Sequence, residues 1–224
     1  MIWKQNTELS QYDFFRGNGY SAFSAVALCK AGIKTLDDAD EFLNGDELCD
    51  FRLIRNIDKA TDIIWKHIFA HNRICIFGDY DADGISASAV MFLALKKIGA
   101  EVCVRLPDRI EEGYGISKKA IKEQAELGAK LFVTVDNGVR AVEETEYVKK
   151  LGLDIVILDH HEPGSVLPQA DALIDLHIDG ETYPYKELTG SGLAWKVAHC
   201  MLEQIGEHDF ALSLADIAAI GTIG

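Results

Sequence analysis

No apolar run in this chain approaches the roughly 18 residues that a membrane-spanning helix needs. The opening residues, Met1-Ile2-Trp3-Lys4-Gln5-Asn6, also lack the basic-then-apolar layout of a secretory signal. The five cysteines, Cys29, Cys49, Cys75, Cys103 and Cys200, are scattered and form no Cys-x-x-Cys pair, so a redox or zinc motif of that kind is excluded. Cys75 and Cys103 fall inside apolar runs, where a cysteine acts as a small buried hydrophobe. A reduced cytoplasmic protein without a membrane partner is the expectation. Positive charge is scarce as well. Twenty-two Lys and Arg face 36 Asp and Glu, for a net charge of −14, which argues against a broadly basic nucleic-acid surface. A polyanionic substrate must then be held locally, by metal and a few basic side chains. No serine or cysteine triad is evident, and no low-complexity segment interrupts the chain.

What is present is a globular composition, 48% hydrophobic over 224 residues, enough to bury a substantial core. Residues 1–70 read as a helical cap. Ser21 to Lys30 is compact and apolar, Thr35 is an N-cap ahead of early acids, and Ile57 to Phe69 is apolar at helical spacing. From residue 73 the pattern becomes strand–helix alternation. Strands are expected at 73–78, 101–106, 130–135, 154–158 and 171–175, with helices at 85–98, 117–127 and 141–151 between them. A further helix is expected from Gly192 to Gln204. Continuous apolar strands alternating with helices predict an α/β fold, a doubly wound and mainly parallel sheet over residues 71–224.

Three of the strands end in metal-binding side chains. The first runs into Asp79-Tyr80-Asp81-Ala82-Asp83-Gly84, the third into Asp136-Asn137-Gly138, and the fourth into Asp159-His160-His161. Carboxylates this close repel one another unless a cation sits among them. Mixed carboxylate and imidazole donors suit a hard or borderline divalent ion. In open α/β sheets ligands bind beyond the carboxyl ends of the strands, so the three segments are expected to converge on one rim. Other readings compete at single positions. Asp83 before Gly84 is ordinary helix-start chemistry, and Asn137-Gly138 by itself is a turn signal. Gly190-Ser191-Gly192 either admits a phosphate to a helix N-terminus or permits tight packing. Arg109, Lys118, Lys119 and Arg140 are the basic candidates near the rim, and Tyr114 could stack on a base. His177 follows the fifth strand and reads as structural more readily than as part of the site.

Taken together, the three motifs resemble the DHH phosphoesterase superfamily. The first motif, with the segment Arg109 to Gly115 and the stretch Thr189-Gly190-Ser191-Gly192-Leu193-Ala194-Trp195-Lys196, is most similar to its RecJ branch of single-stranded-DNA-specific exonucleases. The resemblance covers roughly residues 50–224. It implies two divalent ions, usually Mn²⁺ with Mg²⁺ possible, bridged by Asp136. Asp79, Asp81, Asp83 and His160 would be further ligands, Asp79 standing where many relatives have histidine. It also implies that His161 lies near the scissile phosphate and that Asp159 orients the histidines. Asn137, Arg109, Tyr114, Gly190, Ser191 and Gly192 would meet the substrate, single-stranded DNA. Ions about 4 Å apart can activate water and stabilise a leaving oxygen, which suits phosphodiester hydrolysis. Implied with this are 5′-to-3′ polarity, mononucleotide products and a role in recombination and repair. Alternatives within the resemblance are a phosphoesterase for short oligonucleotides, cyclic dinucleotides or pyrophosphate, and a silent scaffold. Gly221-Thr222-Ile223-Gly224 is similar to the approach to a fourth motif whose aspartate would lie further on. The expectation is therefore an N-terminal fragment of a longer protein, impaired alone in its second metal site and in holding DNA.

Overall fold

The computed structural model describes residues 10–45, 48–108 and 115–224. They form two compact units that divide between Leu48 and Cys49.

In the first unit, α1 (Tyr12–Gly17), α2 (Ala22–Lys30) and α3 (Leu36–Asn44) gather around Phe15, Ala25, Leu28 and Ala39. The Ser21 and Thr35 hydroxyls accept hydrogen bonds from the amides of Ser24 and Asp38, satisfying donors that a helix start leaves open.

The second unit begins before the expected boundary near residue 70. Helix α4 (Ile57–Phe69) belongs to it because Ile57, Ala60 and Ile64 are fully buried in its main core. The sheet comprises β1 (Arg73–Phe77), β2 (Val102–Arg105), β3 (Ala129–Val135), β4 (Asp154–Asp159) and β5 (Ala172–Asp175). Their order is β2-β1-β3-β4-β5 and every pairing is parallel. Side-chain alternation divides each strand between two cores. Ile74, Ile76, Leu131, Val133, Val156 and Leu158 face one cluster, shared with α4, α5 (Ala82–Ile98) and α8 (Gly190–Glu203). Cys75, Phe77, Phe132, Ile155 and Ile157 face the other, shared with α6 (Lys118–Glu126) and α7 (Val142–Lys150). Burial on both faces is why these strands read as unbroken apolar runs.

The layout fixes where a site can form. Helix α5 carries the chain from β1 outward to β2 on one face, and α7 carries it from β3 to β4 on the other. Crossovers of one hand that run in opposite directions must lie on opposite faces. The connections therefore part between β1 and β3, leaving a crevice at the carboxyl ends of those strands. Helix α5 starts three residues earlier than its apolar pattern suggested, because Asp81 Oδ1 accepts from the Gly84 amide and caps it. The apolar stretch after α8 forms α9 (His208–Ser213) and α10 (Ala215–Ile223), which pack with α8 and α5. Among the described residues no helix is long and apolar enough to cross a membrane.

Candidate metal centre

Asp136 sits at the mouth of the crevice, one residue beyond β3. Its backbone has φ +61°, a left-handed conformation uncommon for a residue with a Cβ. The Asp136 amide donates to the Leu158 carbonyl at 2.9 Å, which pins this turn to β4. Strain of this kind is kept where the surroundings over-determine the conformation, often at functional sites. The carboxyl group is buried, and burial pushes its pKa up to about 6 despite the nearby His160 ring.

Asp136 belongs to two potential metal-binding trios. In one, ligand atoms of Asp79, Asp81 and Asp136 all lie within 4.8 Å of one another; in the other, those of Asp136, His160 and His161 do so. Asp79 is buried and its Oδ1 has no hydrogen-bond partner. An orphaned buried carboxylate oxygen is costly unless a cation meets it. Burial, with the Asp81 charge adding to it, holds Asp79 above the usual carboxylate range. The first turn of α5 can approach this group because residue 84 is glycine: a Cβ there would lie 2.6 Å from the Asp79 Cβ and amide nitrogen. Carboxylate and imidazole donors around an orphaned oxygen fit a divalent ion such as Mn²⁺ or Mg²⁺.

The Asp-His-His segment is organised around Asp159. Its Oδ2 accepts from the Val139 amide at 2.8 Å, and its Oδ1 accepts from the His160 amide at 2.8 Å and His161 Nδ1 at 2.7 Å. Burial would raise its pKa, but the His161 imidazole and these amides hold it below the usual range. Asp159 is therefore a fixed anion that orients the pair. It pushes the His161 pKa up to about 9, against the effect of burial. His160 Nε2 lies 3.0 Å from Asp136 Oδ1 and 3.4 Å from Asp83 Oδ2. Burial opposes its charged form, yet the Asp136 carboxylate beside it leaves the pKa raised.

Asp83 stands outside both trios. Its Oδ2 accepts from the Gly190 amide and its Oδ1 from the Ser191 amide, each at 2.7 Å. The start of α8 thus already holds an anion, and that anion is an internal carboxylate. The Gly192 amide is also engaged, donating to the Thr189 hydroxyl at 3.3 Å. All three amides are engaged within the chain in this structure. Glycine at 190 has a steric reason: a Cβ there would lie 2.5 Å from both Cβ and Oδ1 of Asp136. Asn137 is likewise engaged within the chain. It is fully buried, and its side-chain nitrogen donates to the Phe77 and Val135 carbonyls, tying the end of β1 to β3. Arg109 and Tyr114 lie outside the described residues. Lys118 is paired with Glu143 at 2.6 Å, while the Arg140 Nε donates to the Glu162 carbonyl at 2.7 Å.

One carboxylate at this rim was missed. Asp175 pairs directly with Asp159 across the ends of β5 and β4. It is buried, its Oδ2 has no hydrogen-bond partner, and burial raises its pKa to about 6. Its Oδ1 accepts from the His177 amide at 2.8 Å. The available signal was positional: Asp175 is an acid at the end of an apolar strand, as are Asp136 and Asp159.

The DHH family N-terminal domain matches residues 73–222. The chain is 42% identical over 202 residues to the single-stranded-DNA-specific exonuclease RecJ of Bacillus subtilis, covering 89% of this chain and 25% of that protein. RecJ of Escherichia coli is 30% identical over 203 residues, covering 86% of this chain and 35% of the relative. The chain therefore spans only about a quarter to a third of these proteins' length. A crystal structure of exonuclease RecJ bound to manganese superposes with a TM-score of 0.70 at 30% identity, over 76% of this chain and 43% of that one. Thermus thermophilus RecJ with Mn²⁺ matches in fold with a TM-score of 0.73 at 23% identity, over 100% of this chain and 31% of that one. With three motif-bearing strand ends meeting at one rim and the family domain matching from β1 to α10, the chain belongs to the DHH family and is homologous to part of the RecJ exonucleases.

Proposed function

We propose that this chain carries the metal-binding centre of a single-strand-specific DNA exonuclease that works in the 5′-to-3′ direction with two Mn²⁺ ions, Mg²⁺ being the alternative, in the cytoplasm and in the service of recombination and repair. The observation that carries this reading is the pair of trios sharing Asp136, set in a chain 42% identical to a RecJ. Asp79, Asp81 and Asp136 would hold one ion, and Asp136 with His160 the other. Bound divalent ions would supply Lewis-acid activation of the phosphate and of an attacking water.

The chain's own groups do the positioning. The Asp159 carboxylate, 2.7 Å from His161 Nδ1, favours the doubly protonated ring by raising its pKa to about 9, and such a ring would present positive charge where negative charge grows on a phosphate. Asp83, clamped to α8, keeps His160 directed at Asp136. The test uses the full-length protein with Mn²⁺ and a 5′-labelled single strand. The expected result is release of labelled mononucleotide from the single strand and little from a duplex; no mononucleotide release overturns the reading.

A second reading is favoured by the net charge of −14. A phosphoesterase for short oligonucleotides would not need a basic track for a long strand. Turnover of a dinucleotide and a long strand in parallel separates the two, since preference for the long strand rejects this alternative.

A further inference from the structure

Cys103 on β2 and Cys75 on β1 are direct partners in the sheet, and both face the core shared with α6 and α7. Paired strands lie about 4.8 Å apart, within the span of about 4.4–6.8 Å that the Cα atoms of a disulfide cover. The two thiols interact directly with each other. Their surroundings differ. Cys103 is half-buried on the edge strand, whereas Cys75 is wholly buried one strand further in. Arg73 opens β1; its Nη1 donates to the Leu127 carbonyl at 3.2 Å, and its guanidinium also hydrogen-bonds Cys103. Cys103 Sγ meets Gln124 Oε1 at 3.6 Å, and that amide can turn to present an N–H to a thiolate. The contact with Cys75 and the Arg73 guanidinium hold the Cys103 pKa down at about 6, against burial and the Glu101 charge. The same contact and burial push Cys75 up. A small buried hydrophobe needs neither the cation nor the second sulfur, while a nucleophilic thiolate beside a resolving thiol uses both.

We propose that Cys103 and Cys75 form a reversible redox pair whose oxidant is a hydroperoxide. The Cys103 thiolate attacks the O–O bond of hydrogen peroxide, giving a sulfenic acid and hydroxide. The Cys75 sulfur then displaces the sulfenic hydroxyl, which leaves with the Cys75 proton as water. The two sulfurs lose two electrons and the peroxide gains them, so two thiols and one peroxide give one disulfide and two waters. Closing the bond draws the two Cβ atoms to about 3.8 Å. Strain of that kind leaves the product easily reduced by a dithiol.

The test treats the full-length protein with hydrogen peroxide at pH 7, blocks the remaining thiols by alkylation and digests with trypsin. The expected product is the peptide of residues 74–96 joined to that of residues 98–105, two hydrogens lighter than their sum and lost after dithiothreitol. In Cys75→Ala, dimedone should trap a sulfenic acid at Cys103, and in Cys103→Ser residue 75 should stay reduced. Alkylation of native protein by iodoacetamide gives an independent measurement. Cys103 should react at least tenfold faster at pH 7 than Cys200, which burial pushes up to about 11. Arg73→Gln should move the midpoint of the Cys103 rate to higher pH. Consumption of Cys103 without the joined peptide overturns the proposal. So does a Cys103 that reacts no faster than Cys200, or an Arg73→Gln profile that matches wild type.

Discussion

Replacing Gly190 by alanine adds one methyl group where α8 meets Asp136. The new Cβ would lie 2.5 Å from Asp136 Cβ and Oδ1, closer than non-bonded atoms approach. Either Asp136 moves within its left-handed turn or the first turn of α8 withdraws. Withdrawal would stretch the 2.7 Å bonds from the Gly190 and Ser191 amides to Asp83. Overpacking of this kind costs about 1–3 kcal/mol, partly offset by up to about 1 kcal/mol from alanine's better helix propensity. Gly192→Ala is the matched control. Its Cβ would meet nothing nearer than 3.4 Å, so it should be neutral or stabilising by up to about 1 kcal/mol. Urea unfolding without metal reads the stability difference, and calorimetric titration with Mn²⁺ reads the site. Gly190→Ala should be destabilised relative to Gly192→Ala by about 2 kcal/mol and should bind Mn²⁺ at least tenfold more weakly. If the two variants match in stability and metal affinity, the close approach of α8 to Asp136 is wrong.

Asp83→Asn keeps one acceptor oxygen but loses the second bond to the α8 amides and the negative charge. A loss of about 1.5–3 kcal/mol in urea unfolding is expected, the size of a hydrogen bond to a charged group. Asp154, at the opposite end of β4, supplies the pH prediction. Burial would raise its pKa, but Lys66 at 2.8 Å and His67 at 3.0 Å lower it to about 2 from 3.8. Because the folded value is depressed, the stabilisation is complete above the unfolded value near 4 and is lost as pH falls through 2. Asp154→Asn should therefore cost about 2 kcal/mol at pH 7 and about half that at pH 3, measured by urea unfolding at both values. A pH-independent difference would contradict the ion-pair account.

The sheet was legible because both of its faces are covered. Every strand residue from Ile74 to Phe77 and from Leu131 to Val135 is buried, which yields unbroken apolar runs with abrupt polar ends. Those ends identified Asp79, Asp81, Asp136 and the Asp159–His161 segment. The place of α4 was less legible. An amphipathic helix next to a helical cap gives no sign of which core its apolar stripe joins. The contact of Asp83 with the start of α8 was not legible. Its partners lie 107 and 108 residues away in α8, a separation no local pattern reports. Asp175 escaped notice because it is a single acid without a following motif, and only strand pairing sets it beside Asp159.

The shared position of Asp136 between two metal trios is the centre of this account, and counting bound ions tests it most directly. Calorimetric titration with Mn²⁺, run on the full-length protein and on Asp136→Asn and Asp81→Asn, should find two ions per wild-type chain. Asp81→Asn should weaken one of them, and Asp136→Asn should weaken both by at least tenfold. An Asp136→Asn protein that retains either ion at wild-type affinity would contradict the shared ligand.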